Sequence, residues 1–295
     1  FLQISRHPAK THQNMRLHLR PSIATFMAAA LLTAPVCGAD AVATTASTSA
    51  PAGDDMGEVA KKLNNPTASL ISVPLQSNFD FGAGPDGDGF QYKLNVQPVI
   101  PFALNQDWKI ISRTILPFVY QEDVIGGGSQ EGLGDTTMTL WLSPAGDREG
   151  KPIVGIGPVL QFPTATDDLL GSEKWGVGPS AIVVHQAKGW TVGALANHIW
   201  SVAGEDSRQD VSVTSLQPFL NYTTPKHTTF GVNTESLYDW ENEQWTVPIN
   251  VFITQLVKIG KMPVSFQLGA RYYAEAPEEG PEWGVRFAVT LVFPE

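Results

Sequence analysis

Trp283-Gly284-Val285-Arg286-Phe287-Ala288-Val289-Thr290-Leu291-Val292-Phe293 is the stretch whose reading decides the fold. Every odd position is apolar, and the even positions carry Gly284, Arg286, Ala288 and Thr290, with Val292 as the one exception. Period-2 alternation puts the two sets on opposite faces of a strand, one continuously greasy and the other small or polar. Such a strand suits a wall between lipid and a wet lumen. Trp283 and Phe293 stand at its ends, where rings tolerate the headgroup layers, and about eleven residues is the length a tilted membrane strand needs. The competing reading is the last strand of a soluble sandwich.

The rest of the chain repeats the pattern. Leu70 to Phe81 alternates Ile71, Val73, Leu75, Phe79 and Phe81 with Ser72, Gln76, Asn78 and Asp80; Phe90 to Ile100 and Trp108 to Gln121 follow after turn-like spacers. Further strands are expected near Asp135 to Ser143, Pro152 to Phe162, Val177 to Gln186, Trp190 to Ala203, Val211 to Tyr222, Thr228 to Asp239, Trp245 to Leu256 and Val264 to Tyr273. With the closing strand that makes about twelve, an even number as a closed antiparallel transmembrane β-barrel of outer-membrane type requires. Pro74, Pro98, Pro117, Pro158, Pro179, Pro218 and Pro248 fall inside these strands, where a missing N–H breaks the ladder, so local bulges are expected there.

Composition agrees with this all-β reading. Charged residues are 16 % of the chain, below the roughly 25 % of soluble domains, and no long apolar run follows the leader. Residues 1–39 read as upstream residues plus a secretory signal peptide starting at Met15. Arg16 and Arg20 precede an uncharged run, with Cys37 and Ala39 at an A-x-A-like cleavage site. Residues 40–66 read as a periplasmic tail, in which Asp54 to Leu63 forms a short helix, either a small plug or, by preference, a solvated turn. Residues 67–295 are the barrel. The single cysteine lies in the leader, so the rest carries no disulfide and no thiol metal site. Removing Arg6, Lys10, Arg16 and Arg20 leaves 15 basic against 29 acidic groups, which suggests no nucleic-acid partner.

Charge is also sorted by end. With strand one running outward, the longer connections, flanking Asp135 and Asp239 included, hold 19 of the 29 acids and only Lys174 and Arg208 as bases. The shorter ones after strand four hold Arg148, Lys151, Lys188, Lys226, Lys258 and Lys261. A soluble sandwich has no reason to sort its loops this way.

Several segments then resemble a known family: Asn65-Pro66, Leu70-Ile71-Ser72-Val73-Pro74, Gln97-Pro98-Val99-Ile100-Pro101, Ile111-Ser112-Arg113-Thr114, Gly132-Leu133-Gly134-Asp135, Pro163 to Gly171, and Ala196-Asn197-His198-Ile199-Trp200. The chain resembles outer-membrane transporters grouped with barrel proteins of meta-pathway phenol degradation, members of which sometimes carry the misleading label neuromedin U. The resemblance runs from about Asn65 to Phe293. It implies an outer-membrane barrel and carries over no binding residues.

Candidate site residues follow from the lumen face. Lys93, Arg271 and Arg286 fall at one depth beside Asp80; Glu235 and Asp239 lie on the far side, and Arg113 adds a mid-depth base. One reading is a constriction with a basic wall facing an acidic one; the other, preferred to an open pore, is that the groups pair and fill a narrow lumen. Asp167, Asp168 and Glu173 on an external loop are a weaker candidate for cation contact, and Trp283, Phe287, Leu291 and Phe293 form the expected assembly signal. The favoured function is a channel or transporter for a small solute, aromatic or hydrophobic if the family association is informative. The second reading is a closed structural or surface-interaction barrel acting through acidic external loops. A hydrolase is third and disfavoured: His198 and Ser201 are three apart, hence on opposite faces, and the His-x-Ser-Asn-Gly signature of outer-membrane phospholipase is absent. No enzyme activity and no cofactor is implied. The expected partners are outer-membrane lipid, lipopolysaccharide, the solute and the barrel assembly machinery.

Overall fold

The computed structural model describes residues 54–125, 128–146 and 150–293. The chain divides into Phe1–Ser49 and Ala50–Glu295. The first unit, and with it the expected leader, lies outside the described residues.

A ten-residue helix, α1 (Asp54–Leu63), precedes fifteen strand segments: β1 (Ile71–Ala83), β2 (Gly89–Val96), β3 (Val99–Ala103), β4 (Trp108–Glu122), β5 (Ser129–Leu133), β6 (Thr136–Pro144), β7 (Ile153–Phe162), β8 (Lys174–Ala187), β9 (Trp190–Gly204), β10 (Ser212–Thr223), β11 (Thr228–Thr234), β12 (Ser236–Asp239), β13 (Gln244–Ile259), β14 (Met262–Glu275) and β15 (Trp283–Phe293). Three pairs of segments, β2 with β3, β5 with β6 and β11 with β12, are single strands interrupted for one or two residues, which leaves twelve. Each strand pairs antiparallel with its sequence neighbours. The ring closes where β15 meets β1, from Ile71 against Phe293 to Phe81 against Trp283. The fold is therefore a closed twelve-stranded antiparallel barrel with no free edge, and a closed ring is one of the few structures that satisfies a spanning backbone in lipid.

Sequence alternation becomes an inner and an outer wall. On β15, Gly284, Arg286, Ala288 and Val292 are buried inside, while Trp283, Phe287 and Phe293 project outward with 40–49 % of their surface exposed. Rings gather at both ends of the outer wall: Phe81 stacks on Trp283 and Tyr238 meets Trp240 and Trp245 at the end bearing the long loops, and Trp190 meets Tyr222 at the other. His198 belongs to the first belt, its ring 4.1 Å from that of Trp200, with Nδ1 2.7 Å from Thr214 Oγ1. Below, the two ends are called the loop mouth and the turn mouth. A two-residue hairpin at the turn mouth, Lys188-Gly189, places both residues at positive φ (49° and 82°), the backbone twist that joins strands tightly.

Two expectations need correction. The stretch between the strands at Gln121 and Asp135 reads from sequence as one loop, yet β5 lies within it and pairs with the end of β4, from Phe118 against Leu133 to Glu122 against Ser129. The prolines do not all make bulges. Pro98 falls in the β2/β3 interruption, Pro117 opposite the β5/β6 interruption, where the register against β4 moves by one residue, and Pro248 at a register shift, whereas Pro74, Pro158, Pro179 and Pro218 remain in register. Each proline withholds only a donor, and its carbonyl can still be satisfied. Pro74 O accepts from Gln97 N at 2.9 Å, Pro98 O from Thr114 N at 3.1 Å and Pro117 O from Gly134 N at 2.9 Å.

Candidate lumen constriction and chamber

The inner wall is lined mainly by Ser, Thr, Asn and Gln, with two exceptions. The first is at the turn mouth. In α1, Met56, Val59, Ala60 and Leu63 follow helical spacing and form one apolar stripe. Val59 and Ala60 pack against Leu70, Leu256 and Val292, and Val292 is wholly buried. The single break in the closing strand's alternation is thus a contact for the helix. Polar contacts fix the remaining sides: Gln186 Nε2 donates to Lys61 O at 2.8 Å, Asn64 Nδ2 donates to Thr223 Oγ1 at 3.1 Å, and Asn221 Nδ2 donates to Asn64 Oδ1 at 3.2 Å. Helix α1 therefore sits inside the turn mouth, touching β8, β10, β13 and β15, and the preferred reading of a solvated turn is overturned. A helix this short is marginal alone in water; burial of its stripe supplies the stability that propensity does not.

The second exception is an apolar patch on one side of the lumen, made by Ile111, Trp141, Ile182, Val184 and Leu195 with Val99 and Phe219 packed on it. Trp141 on β6 crosses over β7 to donate its Nε1–H to Ser180 Oγ on β8 at 2.9 Å. Gly155 lies beneath; a Cβ there would stand 3.0 Å from Trp141 Cβ and 2.9 Å from Ile182 Cγ2. Glycine on β7 lets the indole lie against the wall rather than project into the lumen.

At mid-depth the ion pairs form a layer. Arg286 donates from both terminal nitrogens to Glu235, at 2.8 and 2.7 Å, and from Nε to Asn78 Oδ1 at 2.7 Å. Arg271 donates to Glu235 at 3.0 Å, to Asp80 at 3.2 Å, to Asn250 Oδ1 at 2.9 Å and to the Tyr273 hydroxyl at 3.2 Å. Glu235 occupies the interruption between β11 and β12 and reaches across β13 to both arginines. Of the two arrangements read from the sequence, pairing is the one seen here, and no basic wall faces an acidic one. The groups interleave, because a bidentate guanidinium–carboxylate pair in a low-dielectric interior is far better than two separated like-charged walls.

Lys93 and Arg113 lie in the same field. Arg113 Nη2 donates to Gln97 Oε1 at 2.7 Å, and Arg113 also feels the charge of Glu235, as Lys93 feels those of Asp80 and Glu235. Asp239 does not join them. Its carboxylate accepts from Glu241 N, Asn242 N and Asn242 Nδ2 at the loop mouth, where it shapes the turn after β12. Between this layer and α1 lies a cavity of about 280 Å³, bounded by Gln76, Gln97, Arg113, Arg286, Ile182, Leu195 and Phe219 above and by Leu63 and Asn64 of the helix end below. The helix seat matches the plug that the sequence offered only as its second choice, with Val292, apolar among the small and polar inner residues of β15, as its available signal; the chamber had none.

The residues of the external loop named for cation contact are engaged mainly with the loops themselves. Asp167 caps Leu169 N at 2.9 Å, and Glu173 pairs with Arg208 at 3.4 Å, while Asp168 contributes its backbone carbonyl, not its carboxylate, to Arg208 at 2.7 Å. Among the described residues no group of three His, Cys, Asp or Glu is placed to hold a metal. The loop is instead organised from within by Asp135, which accepts from Ser172 N and Oγ at 2.7 Å, and by Arg208, which bridges residues 163–173 to residues 205–211.

That second loop carries a pH dependence. Hydrogen bonds from Lys174 and Ser201, with the Lys174 charge, hold the Asp210 carboxyl below the usual range, and hydrogen bonds from Ser207 do the same for Glu205. A carboxylate depressed in the folded state stabilises above its unfolded pKa, about 4, and that contribution is lost as pH falls through the folded value. Amide exchange in residues 205–211 is therefore expected to lose protection below about pH 4 after correction for intrinsic exchange rates. Asp210→Asn should flatten the profile; an unchanged profile would mean Asp210 does not tether the loop.

The family model described as Putative MetA-pathway of phenol degradation matches residues 90–257. In three dimensions the chain is similar to an outer membrane channel from Pseudomonas putida F1 at 18 % identity, covering 76 % of this chain and 96 % of that one with a TM-score of 0.60. It is more distantly similar to the KdgM porin (11 % identity, 76 % and 99 % coverage, TM-score 0.43) and to the beta domain of the Bordetella autotransporter BrkA (9 %, 76 % and 100 %, TM-score 0.41). No curated protein matches the chain in sequence.

Proposed function

We propose, from the premise that the chain belongs to the family described as Putative MetA-pathway of phenol degradation, that it is an outer-membrane channel for a small solute, held shut here at two levels. The observation that carries this reading is the chamber. A barrel built only to fill itself or to display loops has no use for about 280 Å³ of space behind a polar inner wall, whereas a conduit needs a wet path with a constriction that selects. The interleaved ion-pair layer narrows the path at mid-depth, and α1 closes the turn mouth. Both are held by non-covalent contacts alone, so both can open. The aromatic belts on the outer wall support residence in the outer membrane.

The test is single-channel recording of the refolded chain in planar bilayers. Brief, infrequent openings of small conductance are expected from the intact chain. Recovery of the folded protein in water without detergent would overturn the reading, and a bilayer silent in both the intact chain and a helix-deleted form would favour the closed structural barrel.

A further inference from the structure

The charges around the chamber do not balance. Lys93, Arg113, Arg271 and Arg286 face only Asp80 and Glu235 among the lumen groups at this depth. Arg271 and Arg286 use Nε and both terminal nitrogens on those acids and their amide neighbours. Arg113 is different. A guanidinium carries five donors, and only one hydrogen bond, to Gln97, leaves that of Arg113 for the described residues. Gln97 is itself held by donating to Gln76 Oε1 at 3.3 Å, which turns its oxygen toward the arginine and fixes the fork at the cavity wall.

Most of the remaining lining is polar, with one apolar stretch: Phe219 faces the chamber, and Ile182 and Leu195, themselves almost wholly buried, pack against it. An aromatic surface that bounds a cavity gains by covering itself with an apolar body, and an arginine fork with spare donors gains by meeting a carboxylate. Resting on the reading of the lumen as a solute path, we propose that the chamber binds a small monocarboxylate with a compact apolar body, its carboxylate on Arg113 and its body against Phe219. A single negative charge is favoured because Glu235 borders the same space. The size follows from the volume: about 280 Å³ lies at the low end of the roughly 300–1,000 Å³ of small-molecule pockets, which suits a small occupant. Benzoate and cyclohexanecarboxylate both meet that description; acetate lacks the body, and benzyl alcohol and benzylammonium lack the anion.

Equilibrium dialysis of the refolded full chain in non-ionic detergent tests this, because it reads occupancy whether entry is fast or slow. Saturable binding of one benzoate per chain is expected, with cyclohexanecarboxylate comparable and acetate, benzyl alcohol and benzylammonium much weaker. Arg113→Gln should weaken benzoate by about tenfold or more, the worth of a hydrogen bond to a charged group, and Phe219→Ala should weaken it without restoring any preference for the alcohol. Benzyl alcohol binding as tightly as benzoate to the unaltered chain would overturn the proposal, and that arm needs no variant to fold. Equal benzoate affinity in a folded Arg113→Gln protein would overturn it as well. Conductance of the same preparation separates the two readings: a conducting protein that ignores benzoate defeats the site and leaves the channel, while a protein that binds benzoate and never conducts does the reverse.

Discussion

Val59→Asp, or deletion of residues 54–63, is expected to raise single-channel conductance several-fold while leaving the barrel folded. Val59 is buried against Leu256 and Val292. A carboxylate placed there faces a desolvation cost of several kcal/mol, more than a ten-residue helix held by one apolar stripe and a few hydrogen bonds can sustain. The helix should leave its seat. None of the ladder hydrogen bonds that close the ring involves α1, so heat-modifiable migration on a gel, the usual sign of a folded barrel, should persist. An undocked helix with unchanged conductance would place the whole resistance in the ion-pair layer.

Glu235→Gln is expected to have the largest effect on stability. The carboxylate accepts three of the hydrogen bonds that hold Arg271 and Arg286, and its loss leaves four bases facing Asp80 alone. Breaking a buried pair by removing one partner costs about 3 kcal/mol or more, which should appear as a lower urea midpoint. In a background lacking α1 the same substitution should also move the reversal potential toward anion selectivity, because a unit charge a few ångströms from a permeating ion is worth on the order of 1–4 kcal/mol. The shift should shrink at high salt, as screening shortens its reach. Asp80→Asn should do less, since Asp80 accepts from one arginine rather than two and at the longer distances of 3.2–3.4 Å. A reversal potential unmoved by Glu235→Gln in the open channel would exclude the layer as the selectivity element.

The barrel was legible because period 2 is a local property. Residues 283–293 carry it almost without interruption, and Lys93, Arg113, Arg271 and Arg286 could be placed on the lumen face from parity alone. What parity cannot give is who meets whom across the lumen. Tilt and stagger let Glu235 reach arginines two and three strands away, and a one-residue interruption at Glu235 itself re-aims the side chain, so the groups meet in one mixed layer rather than two walls. Asp239 was misplaced because a strand end and the cap of the following turn look alike in sequence. β5 was missed since Ser129-Gln130-Glu131-Gly132-Leu133 is short and polar, a composition that reads as loop until its partner on β4 is known. The helix was read as solvated because ten residues with two adjacent lysines promise little by themselves; its apolar stripe has meaning only once Leu256 and Val292 are seen to face inward.

The seat of that helix also sets an order of events in folding. Although α1 comes early in the chain, its contacts beyond nearby Leu70 are with Gln186, Asn221, Thr223, Leu256 and Val292, which belong to the second half and the very end of the sequence. Contacts at such separation form late, and Val292 reaches its place only when β15 zips onto β1. The mouth is therefore still open while the ring is being assembled, and closing it is the final step of maturation. A barrel that has failed to join its first and last strands has no complete berth for its own stopper, so occlusion certifies that the wall is whole.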